Sequence, residues 1–285
     1  MADTLGKSYK ASLRIKETII YICMIVLTLI AIVPVWIMLI NATRTTEQIN
    51  AGLSFLPSTH AFDNWHALTR RNFQIWQGFG NSALISVCAT ILCVYFSALT
   101  AYGLHVYRFK GRNALQGLIM ILIMLPASLS FIGFYQFMAK LHLTDNYIPL
   151  IIPSIAAAGS VLFMKQYLDS ILNMELVEAS RIDGATEFMT FNRIILPIIQ
   201  PALATQAIFS FVASWNNFMT PFVLLSSTKK YTLPMLVQML RGDIYRTEYG
   251  GIYLGIAVSL IPIIVFYAFM SKYIIGGLTM GSVKE

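Results

Sequence analysis

Charge is scarce in this chain. Only 12% of its 285 residues are Asp, Glu, Lys or Arg, about half of the roughly 25% that a soluble domain carries. So small a share cannot coat a water-facing surface of this size. The net charge of +7 gathers at the ends of apolar stretches, not in a basic stripe with interleaved aromatics, which sets nucleic acid aside as a partner. Cysteine is sparse too: Cys23, Cys88 and Cys93 all fall in apolar runs, where a thiol behaves as a small apolar group. His60, His66, His105 and His142 are scattered and form no zinc pattern, so no metal ligand is assigned. The phosphate cradle G-x-x-x-x-G-K-[ST] is absent from the sequence, so any ATP must be hydrolysed by another chain. Asp, Glu, Lys and Arg are also missing from the centres of the apolar stretches. That disfavours a proton relay and leaves sodium held by neutral oxygens open.

What is present is apolar length. Hydrophobic residues make up 57% of the chain, with a mean hydropathy of +0.68. Six stretches, near 18–40, 82–106, 115–139, 147–168, 198–225 and 252–275, are each longer than the roughly 20 residues a helix needs to cross a bilayer core. Continuous apolar runs without alternation argue for helices over a β-barrel. The expected fold class is therefore all-α: a polytopic membrane protein, one domain over 1–285, with six transmembrane helices. Lys7, Lys10, Arg14 and Lys16 precede the first run, which is too long for a signal-peptide core of roughly 7–15 residues and has no clear cleavage site after it. It reads as an uncleaved first span. Arg108, Lys110 and Arg112 crowd one short connection, whereas Lys140 stands alone in the next. The positive-inside rule then puts both termini in the cytoplasm. Pro34, Pro126, Pro153, Pro201, Pro221 and Pro262 fall within the stretches and read either as hinges or as ordinary kinks. Small residues recur at four-residue spacing (Ser82, Ser86, Thr90; Ser97, Ala101; Gly251, Gly255, Ser259), which lets helices approach closely.

One polar island breaks the pattern. The segment 169–197 is expected to be a cytoplasmic loop, and its residues Glu178-Ala179-Ser180-Arg181-Ile182-Asp183-Gly184 are followed, nine residues on, by Ile194-Ile195-Leu196-Pro197. A short helix is expected over 174–182, with Leu176, Ala179 and Asp183 on nearly one side. Ala179 and Ser180 are small enough for a partner to approach. Gly184 permits a sharp turn, and Thr186 can cap a second helix in which Phe188, Phe191 and Ile195 make an apolar face. A surface helix on lipid headgroups would show much the same pattern.

The spacing decides between the two. It resembles the EAA loop, E-A-A-x3-G-x9-I-x-L-P, of the permease subunits of ABC importers, with Ser180 in place of the second alanine. Phe109-Lys110-Gly111-Arg112, Leu56-Pro57-Ser58, Asn64-Trp65, Asn81-Ser82, Ala101-Tyr102, Trp215-Asn216-Asn217 and the tail from Gly276 to Lys284 are similar, in order and spacing, to the shorter six-span permease of maltose-type carbohydrate ABC importers. The resemblance implies a type I ABC importer permease fold in the cytoplasmic membrane of a bacterium or archaeon. It also implies a second permease subunit completing the pore as a heterodimer, two ABC ATPase subunits and an extracytoplasmic sugar-binding protein, all around the lipid bilayer. The chain itself would be no enzyme and hold no cofactor, with ATP and Mg bound by the ATPases. Carried over, Glu178, Ala179, Ser180, Asp183, Gly184, Ile194, Leu196 and Pro197 would couple to an ATPase, and Gly281, Ser282, Val283 and Lys284 of the tail would touch it too. Trp215, Asn216 and Asn217 read either as sugar contacts or as a clamp between helices. The segment 226–250, with Lys229, Lys230, Arg241 and Arg246, reads either as a face for the binding protein or as solvated chain. A permease for a non-sugar solute and a gradient-driven carrier are the rival readings.

Overall fold

A computed structural model describes residues 2–70, 74–239 and 248–281, and every regular element among them is a helix. Lys16–Asn41, Ile75–Val106, Ile148–Ile171 and Tyr249–Ile274 are each long and apolar enough to cross a membrane. The pair Glu187–Ile198 and Gln200–Trp215, bent by 82°, makes a fifth among the described residues if it is counted as one span.

Two of the six expected spans are broken near a proline. The third, expected unbroken over 115–139, is two helices, Arg112–Met124 and Ala127–Lys140, of 13 and 14 residues. Leu125 between them is extended, at φ −72° and ψ 129°, as a residue before proline tends to be. Pro126 cannot donate to the carbonyl four residues back, and its ring would collide with it. The fifth, expected over 198–225, stops at Trp215 and resumes as Met219–Leu224. Pro221, in the first turn of the resumed helix, has no N–H to donate to residue 217, and the Asn217 side chain accepts the Thr220 N–H at 3.2 Å.

The chain forms two compact units: Met1–Phe73 with Leu240–Val258, and Gln74–Met239 with Ser259–Glu285. In the first, the apolar residues of Lys16–Asn41 are largely exposed. Past its end the chain folds on polar side chains. The Arg44 guanidinium donates to the Asn41 Oδ1 at 3.1 Å, to the Gly52 carbonyl at 2.9 Å and to the Gln48 carbonyl. Thr45 and Gln48 form a capping box on Thr46–Asn50, satisfying two orphan donors at once. Asn64, 8% exposed, donates to the carbonyls of Ala42 and Arg44 at 2.9 and 3.0 Å. A side chain at Gly250 would collide with the Arg44 carbonyl and the Asn64 amide, so only glycine fits that approach.

The second unit is built on Ile75–Val106. Its small residues Ser82, Ser86, Thr90, Ser97 and Ala101 are all buried, and the helix packs against Gln200–Trp215 and Ala158–Ile171. At one end His105 Nδ1 lies 2.7 Å from Asp169, which also pairs with Lys165 at 2.5 Å. At the other end Asn81 donates to the carbonyls of Lys229 and Tyr231, both at 2.9 Å, and Ser82 accepts the Leu233 N–H at 2.9 Å. Beside them Asp145, at φ +54°, clamps two connections together. It accepts from the Ser226 and Ser227 N–H groups, the Ser227 hydroxyl and the Lys230 ammonium. These bonds, led by those from Ser227, hold its carboxyl well below the usual carboxylate range.

Candidate functional site

The polar island folds as a bracket with a packed side and an open side. Met174–Ile182 forms a helix capped by Asn173, whose side chain accepts the Glu175 N–H at 3.2 Å. The chain then turns at Gly184, φ +79°, a conformation that costs any other residue energy. Thr186 accepts the Met189 N–H at 3.3 Å and starts Glu187–Met189, which runs into a π-helical turn over Thr190–Ile195 and then Leu196–Ile198.

The packed side is continuous with the core of the second unit. Val177, Phe191 and Ile195 join Tyr102, Val106 and Leu168 in one buried cluster, with Ile194 and Leu196 packed against it. Polar bonds reinforce it. Glu187 accepts from the Tyr107 hydroxyl at 2.5 Å, from Arg181 Nε at 2.8 Å and from the Tyr102 hydroxyl at 3.5 Å. Tyr95 donates to Asn192 at 3.2 Å. Burial first, and then the bond to Glu187, push the Tyr107 phenol above its ordinary value, so it stays a donor at neutral pH. An amphipathic helix on headgroups would offer its apolar side to lipid; here Val177, Phe191 and Ile195 are already occupied by protein.

The open side carries Glu178, Ala179, Asp183 and Gly184, all exposed, with Leu176 at their edge. Ile182 is 86% exposed and Phe188 68%, so two large apolar groups stand out beside the carboxylates. Two expectations are corrected here. Ser180 does not wait for a partner: it is buried, donates to the Val177 carbonyl at 2.7 Å, and meets the Thr190 hydroxyl at 3.1 Å, joining the two arms of the bracket. Phe188 does not share the apolar face of Phe191 and Ile195, because the π turn admits an extra residue and shifts the register. Ile194 and Leu196 anchor the bracket from inside, and Pro197 is exposed at the bend. Ile182 was the outward group that residue pattern did not single out. Gly281 is the last described residue; Ser282, Val283 and Lys284 lie outside the described residues, as do Arg241 and Arg246.

The polar stretch near the end of Gln200–Trp215 separates into distinct roles. Trp215 is 1% exposed, stacked on Phe211 at 5.7 Å and edge-on to Phe79 at 5.5 Å, and its indole donates to the Ser259 carbonyl at 3.0 Å. It offers no free face for a sugar to stack on, and of the two readings of Trp215 the contact between helices is the one it makes. Asn216 is exposed, and the Asn217 side-chain oxygen accepts the Thr220 N–H at 3.2 Å. Asn217 also lines a groove of about 470 Å³ with Gln206, Ser210, Ser214, Ser160 and Phe209 among its walls. Inside it the Gln206 amide donates to Ser160 at 2.6 Å, and the Cys93 thiol reaches the same hydroxyl at 3.3 Å. Ser160 lay outside the sequence reading, since only folding brings it 46 residues back to Gln206.

Comparison with known proteins places the chain in a family. The family described as binding-protein-dependent transport system inner membrane component matches residues 94–279. The arabinooligosaccharides transport system permease protein of Halalkalibacterium halodurans is 37% identical over 90% of this chain and 92% of its own length. The protein of the same description from Bacillus subtilis is 33% identical over 90% of this chain and 92% of its own. The lactose transport system permease protein of Rhizobium radiobacter is 28% identical over 95% and 97%. Among solved structures, a chain of a bacterial ABC transporter involved in the import of the acidic polysaccharide alginate superimposes with a TM-score of 0.78, at 23% identity, covering 91% of this chain and 96% of that one.

Proposed function

This chain belongs to the family of binding-protein-dependent transport system inner membrane components, an all-helical transport component with the ABC importer permease fold, and from that premise we propose that it conducts a sugar or oligosaccharide inward across the cytoplasmic membrane. It forms half of the pore beside a second permease, receives its cargo from an extracytoplasmic binding protein, and draws energy from two separate ATPases that bind ATP and Mg. Both termini and the 169–197 loop lie on the cytoplasmic side. The sugar assignment is supported by the relatives named for arabinooligosaccharides and lactose transport.

The observation that carries the coupling role is the two-sidedness of the bracket. Val177, Phe191 and Ile195 fix it to the spans, while Glu178, Ala179, Asp183 and the apolar Ile182 and Phe188 stand outward. A surface anchored that firmly passes force instead of absorbing it, and apolar anchors ringed by carboxylates are what a docking cleft with basic edges takes. Glu178 then pairs with a cation of the ATPase, and Ile182 enters its cleft. The test replaces Glu178 by Lys, Gly184 by Asp and Ile182 by Asp in the whole complex. Sugar uptake should collapse while the subunit still inserts and keeps its partner permease. Normal uptake by all three at normal expression removes the coupling assignment.

A further inference from the structure

The connection after Ile75–Val106 carries Arg108, Lys110 and Arg112, folded round Gly111 at φ +94°. The turn gathers them about a pocket of about 470 Å³, lined also by Phe109, Asn113 and Ala114. Among the described residues no carboxylate pairs with any of the three cations. The carboxylates that meet this end of the helix are taken, Asp169 by His105 and Lys165, Glu187 by Arg181 and Tyr107. Arg112 Nε is shut off from solvent and has no hydrogen-bond partner among the described residues, and a buried charged donor left so is costly. Arg112–Met124 begins at the same pocket with no side-chain cap, so the positive end of the helix dipole adds to the three cations.

An apolar groove of about 450 Å³ lies beside the pocket, lined by Thr100, Gly103, Leu104, Tyr107 and Leu115. Arg108 and Phe109 line both, and Phe109, 45% exposed, stands at the boundary. The groove runs back along the last turns of Ile75–Val106, a helix long and apolar enough to cross a membrane. Cations at the mouth with an apolar wall behind them match an amphiphile better than a soluble anion.

Resting on the cytoplasmic placement of this end of the molecule, we propose that pocket and groove together hold one anionic phospholipid of the inner leaflet. The phosphodiester accepts from the Arg108, Lys110 and Arg112 cations, and an acyl chain lies against Gly103, Leu104 and Leu115. A zwitterionic lipid brings a cation of its own to the same three and is disfavoured. A free phosphate meets the same donors but leaves the groove uncovered. Tyr107, next in sequence to Arg108, holds Glu187 of the bracket at 2.5 Å, so the headgroup sits at the foot of the bracket.

The complete complex, with both permeases and the ATPases, is reconstituted in phosphatidylcholine liposomes. These carry a trace of phosphatidylglycerol or phosphatidylcholine with a diazirine on one acyl chain. After irradiation and digestion with pepsin, label within 100–115 is measured by mass spectrometry. Phosphatidylglycerol should label this segment about fivefold or more above phosphatidylcholine, the factor that one cation at about 1 kcal/mol supplies. The triple variant Arg108→Gln, Lys110→Gln, Arg112→Gln should bring the two lipids to the same level. A Cβ at Gly103 meets nothing within 4 Å, so Gly103→Leu fills the groove and should at least halve the phosphatidylglycerol label. Excess inorganic phosphate on both sides of the membrane should leave that label in place. Equal labelling of the native complex by the two lipids, or a phosphatidylglycerol excess that survives in the charge variant, overturns the site. Displacement by inorganic phosphate overturns the lipid in favour of a free-phosphate site. Loss of the partner permease or an ATPase from either variant overturns it in favour of a protein seat. None of these outcomes bears on the sugar-permease reading, which uptake by the native complex tests separately.

Discussion

Ser180 stands where the EAA pattern has alanine, and its hydroxyl is committed to Thr190, itself fully buried. Ser180→Ala alone strands the Thr190 hydroxyl, and an unsatisfied buried polar group costs about 1–3 kcal/mol. Ser180→Ala with Thr190→Val removes both partners and should fall close to the native stability. A double-mutant cycle on melting temperature checks the pair, and equal losses for the single and the double variant would dismiss the bond as a contributor. Gly250 offers a second test at the same scale. Its missing side chain leaves room for the Arg44 carbonyl and the Asn64 amide, and overpacking of this kind costs about 1–3 kcal/mol. Gly250→Ala should lower the melting temperature, whereas Gly80→Ala, with nothing within 4 Å of the added carbon, should not.

Among the elements, the connection held by Asp145 is open to direct measurement. Its carboxyl is held below its ordinary range by the Ser227 and Lys230 bonds. Its contribution to stability is therefore fully present above the unfolded value, about 3.9, and is lost only as pH falls below that range toward the depressed folded value. Amide exchange at 226 and 227 should thus stay protected at pH 5 as at pH 7, and Asp145→Ala should lose that protection at both. Protection surviving in the variant would assign it to the turn alone. The island shows which elements sequence could reveal. The 174–182 helix, the turn at Gly184 and the cap at Thr186 depend on neighbours a few residues away, and all three formed where expected. The direction of Ser180, the outward turn of Phe188 and the bond between Gln206 and Ser160 depend on distant chain or on a π turn with no composition signal. Pro126 and Pro221 were visible as kinks, but whether a helix bends or ends at proline depends on which carbonyl must be given up. Matched dipeptides gained a physical meaning only in the fold: Asn64, Asn81, Ser82 and Tyr102 each hold a loop.

At the scale of the molecule, the chain has no phosphate cradle and no charged residue at the centre of an apolar stretch. Reconstituted alone with an imposed proton or sodium gradient, it should hydrolyse no ATP and accumulate no sugar; gradient-driven accumulation would move the assignment to a carrier. Ile75–Val106 gives the second unit its axis. At 32 residues it is roughly 48 Å long. One end holds the 229–233 connection through Asn81 and Ser82. The other meets the bracket through Tyr102, with Tyr107 at its cap and Tyr95 farther back. No proline interrupts it. Unbroken over its length, it can serve as a push-rod: displacing one end along its axis displaces the other, with no relay of side chains in between.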